Sequence, residues 1–143
     1  MINIEALREN TTPLREIAIP LNIVPGLDDP EQKIIVEIND DIRRKELKIA
    51  RNHNRLVYRQ DSQGAEFVTN KFSYAEEMAD LCIRDAHRTF GEKGKDIGYD
   101  ASSFKLLLLR YPEFLAWFNN ALTEAFAETA KLKKDAKEAT VKN

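Results

Sequence analysis

The sequence predicts a mainly helical α+β domain, with about four helices and a small two-stranded β element near the N-terminus. Apolar residues recur at helical spacing in separate segments beyond residue 40. Two β-branched runs, L-R-E-I-A-I at 14–19 and K-I-I-V-E-I at 33–38, precede them and suit a pair of short strands. The chain has 143 residues, 43% hydrophobic and 32% charged, which supports one core and argues against disorder. The expected organisation is a single domain over 1–130, its β element within about 14–38, and a flexible Lys-rich tail over 131–143.

Taken in order, Ile4, Leu7 and Arg8 suit one helical turn before Pro13. Pro20, Pro25, Gly26 and Pro30 break the stretch between the two strands into turns. Asn39, Asp40 and Asp41 form a helix start, since short polar side chains accept the unpaired first-turn N–H groups. A helix over 42–59 follows, with Ile42, Ile49 and Leu56 on one side and Arg44, Lys48, Arg51, Arg55 and Arg59 on the other. A competing reading ends this helix near Asn54 and makes 56–59 and 66–69 a hairpin; the helix is preferred. Asp61 to Gly64 is a turn in either case.

Ser73 with Glu76 is a capping-box pattern and opens a helix running through Tyr74, Met78, Leu81 and Cys82 to about Phe90. Residues 91–100 hold three Gly among charges and read as a mobile loop. Asp100 or Ser102 caps a short helix through Leu109, and Pro112 opens the last one, where its missing N–H costs little.

The formal charge is −2, so no global pull toward nucleic acid or anionic membrane is expected. Locally the balance differs. Residues 42–59 hold seven Arg or Lys against Glu46 alone, a surplus of six. No apolar stretch approaches the roughly 20 residues of a membrane helix. The opening residues lack a basic-then-apolar leader pattern, so a reduced, cytoplasmic setting is expected and the sequon at Asn10 is incidental.

Cys82 is the sole cysteine, leaving no disulfide and no partner for a Cys-based zinc site. Phosphate-binding glycine loops, HExxH and GxSxG are absent from the sequence. Cys82 and His87 stand five residues apart, off a shared helix face. His53 and His87 read as ordinary structural or surface residues, Cys82 as a small buried hydrophobe, and Glu76-Glu77 as helix-start electrostatics. No catalytic residue, metal or cofactor is expected.

Binding is the remaining theme. The basic face of 42–59 is either a solvated helix surface or a dock for an acidic partner. From Phe104 to Phe126 large apolar side chains crowd into 23 positions, which is either core packing alone or a core with part of it exposed as a partner-binding patch. Trp117 and Phe118 point about 100° apart on a helix, so one suits the core and the other a partner.

The order of parts is R-E-I-A-I-P (15–20), a second strand, a charged helix, D-S-Q-G-A-E-F (61–67), Y-A-E-E-M-A-D-L (74–81) and P-E-F-L-A-W-F (112–118). This resembles the tail assembly chaperones of long-tailed bacteriophages in order and texture over most of the chain. The resemblance implies a non-enzymatic protein of the infected host cytoplasm, absent from the finished virion. It implies binding to the tape measure protein and tail tube subunits, self-association, and a longer frameshifted product. The expected apolar contacts are Tyr111, Phe114, Trp117 and Phe118, and the expected charged ones Arg44, Lys48, Arg51 and Arg55. Two rival expectations are a small nucleic-acid-associated regulator using the basic helix 42–59 and a virion tail or connector protein.

Overall fold

The fold is that of a computed structural model, which describes residues 1–4, 14–58 and 65–142, with side chains at 55–58, 65–69, 132–133 and 136–142 left aside. Residues 5–8 of the expected N-terminal turn, the sequon, the 61–64 turn and Arg59 lie outside the described residues.

Strand β1 (Leu14–Ala18) pairs antiparallel with β2 (Lys33–Glu37), Arg15 opposite Val36 and Ile17 opposite Ile34. The expected β element is therefore present. The loop between the strands is held from inside by Gln32. Its buried Nε2 donates to the carbonyls of Ile19, Pro20 and Leu27 at 3.0–3.2 Å. Gly26 turns this loop at φ 93°, a conformation open to glycine because it lacks Cβ.

Asn39 then caps helix α1 (Asp40–His53), its side chain accepting from the Ile42 amide at 2.8 Å. The helix stops at His53, not at Arg59. β3 (Asn54–Tyr58) and β4 (Ala65–Thr69) form the antiparallel hairpin that was the competing reading. The extension of the basic helix to 59 is thus corrected. Val57 and Tyr58 favour strands through β-branching and aromaticity, and a pairing partner at 65–69 let that preference prevail.

Helix α2 (Lys71–Cys82) starts earlier than expected. Its cap is Asn70, which accepts from the Ser73 amide at 3.1 Å, so Ser73 is not the cap. It also ends earlier. Ile83–His87 is a strand, β5, pairing antiparallel with β2 and giving the sheet order β1-β2-β5. The continuation of this helix to Phe90 is corrected because β2, already bound on one edge, offers its other edge to 83–87. Residues 91–100 are likewise not all loop. β6 (Gly91–Glu92) and β7 (Lys95–Asp96) make a small ribbon.

Helix α3 (Ala101–Arg110) begins after Asp100, which accepts from the Ser103 hydroxyl, and α4 (Pro112–Lys142) follows after Tyr111 alone. At 31 residues α4 spans about 46 Å. The segment expected as a separate flexible tail is its C-terminal part. With four helices among the described residues and a small antiparallel sheet, the mainly helical α+β class holds.

The core gathers where α2, α3 and α4 meet the sheet. Phe104, Phe114, Phe118, Leu108 and Leu122 have at most 1% exposure and pack with Met78, Ile34 and Val36. Phe104 meets Phe114 and Phe118 edge-on, with ring centres 5.3 and 5.0 Å apart. That packing fixes which side of α4 remains outside.

Candidate partner-binding groove

Helix α4 has one face in the core and another left open. Ala116, Asn120, Thr123, Ala127 and Ala130 are all exposed and recur at steps of 4, 3, 4 and 3. That is the repeat a second helix matches in a coiled-coil seam. Across from it α1 and the residue that follows it present Arg43, Glu46, Ala50 and Asn54, at steps of 3, 4 and 4. Tyr74 of α2 lies between the two walls. Two hollows follow this line. One, of about 500 Å³, lies between Asp40 and Arg43 on one side and Ala127 and Ala130 on the other. The second, of about 640 Å³, lies between Ala50 and Asn54 and the stretch from Pro112 to Asn120. Glu46, Tyr74 and Thr123 line both, which makes them one groove with α1 and α4 antiparallel along it.

The floor is polar and fully engaged at Glu46. This carboxylate is buried at 8% exposure, accepts from the Tyr74 hydroxyl at 2.8 Å and from Arg43 Nη1 at 2.8 Å. Burial without such partners would be costly. Arg43 also lies over the Phe126 ring, 5.0 Å from its centre, tying α1 to α4. Burial, and then the Glu46 hydrogen bond and charge, push the Tyr74 phenol well above its ordinary range. Nearby, Asn119 holds a buried Oδ1 without a hydrogen-bond partner among the described residues.

Burial likewise pushes the Cys82 thiol up to about 12. A thiol so protonated is a poor nucleophile near neutral pH. Native protein at pH 8 is expected to react with an aromatic disulfide on the order of a hundredfold slower than protein in denaturant; equal rates would place Cys82 at the surface. The same shift has a sign for stability. From pH 9 upward the unfolded chain releases the Cys82 proton while the native chain keeps it, so stability present below pH 9 falls as pH climbs toward 12.

Among the described residues no cluster of His, Cys, Asp and Glu is placed to hold a metal ion, and no helix is long and apolar enough to cross a membrane. His53, half-buried at the end of α1, meets Glu77 Oε2 at 2.6 Å and ties α1 to α2.

The eight residues expected at a partner surface divide. Phe114 and Phe118 are completely buried, and assigning them partner contacts is corrected: the meeting of α3 with α4 turns both rings onto Phe104. Tyr111 and Trp117 are half-buried at the edge of that core. Trp117 lies beside the edge strand β1, lining a hollow of about 300 Å³ with Arg15 and Ile17. The exposed apolar groups of this region are Leu106 and Leu109, at 46% and 63%.

On α1, Arg44, Lys48 and Arg51 are exposed as expected. Arg44 stands 3.5 Å from Asp41, while Lys48 and Arg51 have no partner among the described residues. Arg55 is not on this helix. It belongs to β3, opposite Val68, and leaves the basic face three residues long.

Glu46, Tyr74 and the small-residue seam of α4 escaped the sequence reading. Their one local signal was the 4-3-4-3 spacing of Ala116 to Ala130, which carries no bulky apolar residue to advertise it. No family model matches the chain, and neither a curated protein nor a solved structure matches it.

Proposed function

We propose that this chain is a non-enzymatic tail assembly chaperone that binds the tape measure protein, and tail tube subunits with it, in the host cytoplasm. The observation that carries the reading is the open α1–α4 groove, whose two walls repeat at the spacing of helix packing. A tape measure protein is a long helical chain that exposes such surfaces before it is enclosed, and a groove of this kind covers them. The likeness in the order of elements supports the same function.

Co-expression with a candidate tape measure protein tests the proposal. The expected result is a soluble tape measure protein that co-purifies with this chain, and the chain's absence from purified virions by mass spectrometry. A tape measure protein whose solubility is unaltered and which never co-purifies counts against the function. Presence of the chain in virions points instead to a structural tail component.

A further inference from the structure

Apart from Asp40 at its start, which lines the groove, the α1 border is basic, and the α4 border as far as Ala130 is acidic. At about 100° per residue, Arg44 and Arg51 lie just beyond Leu47 on the outer side of the α1 wall, with Lys48 behind them. On α4 the same geometry puts Glu113 and Glu124 just beyond Ala116, Asn120 and Ala127. All five charged side chains are exposed. Between these borders the α4 wall is built of small side chains, which let a backbone approach closely. The lined stretch from Pro112 to Ala130 is about 27 Å long, or five helical turns.

We infer that the groove receives a partner α-helix of about five turns, with an apolar stripe, an acidic flank facing α1 and a basic flank facing α4. The inference deepens the chaperone reading and rests on it for the identity of the client. Shape selects a helix over a second copy's groove, because a concave surface does not fit itself. Charge selects a helix with unlike flanks, since one with a single sign meets repulsion along one border. The helix's direction along the groove follows from the same charges, as reversing it exchanges the two flanks.

The test uses the full chain and three labelled helical peptides of about 18 residues sharing one Leu/Ala stripe. One carries Glu on one flank and Lys on the other, one carries Lys on both, and one Glu on both. Fluorescence anisotropy at about 50 mM salt, where surface charges are weakly screened, is expected to show the mixed peptide binding about tenfold tighter than either single-sign peptide. Ala116→Trp plugs the groove from an exposed position and is expected to abolish that binding with an unchanged Tm. Arg44→Glu with Arg51→Glu is expected to shift preference to the all-Lys peptide.

A mixed peptide that binds no tighter than the others, or that binds Ala116→Trp as well as the parent, overturns the inference. A tape measure protein that still co-purifies with Ala116→Trp also overturns it and leaves the chaperone reading standing. Mixed-peptide binding without tape measure co-purification has the opposite meaning: the groove is right and the client is another helical protein.

Discussion

Phe118→Ala is expected to destabilise the fold by roughly 3–5 kcal/mol, the range for emptying a sealed aromatic site. Phe118 has no exposed surface and meets Phe104 edge-on, so truncation removes its burial, leaves a cavity and breaks a ring pair. Domains of this size are stable by about 5–15 kcal/mol, so the loss approaches a third or more of the total. Urea unfolding followed by circular dichroism measures it as a lower midpoint. Trp117→Ala, next in sequence, is the control. Its ring is half-buried at the core edge, so the larger side chain is expected to give the smaller loss. Equal losses at the two positions would contradict the orientation of α4, and with it the placement of the groove.

The second large effect is expected at Gln32. Gln32→Leu keeps the approximate volume and removes the donor that three carbonyls share. Pro20 and Leu27 keep the amides of Ile23 and Asn22, so the Ile19 carbonyl is the buried acceptor that loses its donor, at a cost of about 1–3 kcal/mol concentrated in the loop from Ile19 to Gln32. The global unfolding midpoint is expected to fall. Hydrogen exchange is expected to locate the cause, with the Asn22 amide, which donates to Leu27 at 2.7 Å, losing protection first. Full protection of Asn22 in the variant would mean that the loop is held by its turn geometry and not by Gln32.

Much of the fold was legible because local rules and tertiary packing agreed. Asn39 capped α1, Pro112 opened α4, and the runs at 14–19 and 33–38 paired as expected. The failures share a physical form. Residues 83–87 and 54–58 each continue a helical apolar pattern, yet both are strands, because a free sheet edge or a facing segment satisfied their backbone groups. Strand pairing depends on residues distant in sequence, and periodicity within one segment is silent about it. The same limit applied to the surface. Aromatic density around 111–118 pointed to a partner surface, whereas Phe114 and Phe118 lie in the core and hold α4 in place.

The sequence alone determined the mainly helical α+β class, with charge concentrated on the helix from Asp40 and apolar bulk in the last third of the chain, because composition and periodicity are properties of the chain itself. Only the tertiary structure decided which face of α4 stays open, that Glu46 is buried against Tyr74 and Arg43, and that a basic and an acidic border lie on either side of one groove. Those facts depend on how α1 and α4 are set about α2, and that setting is fixed by close packing among side chains far apart in sequence.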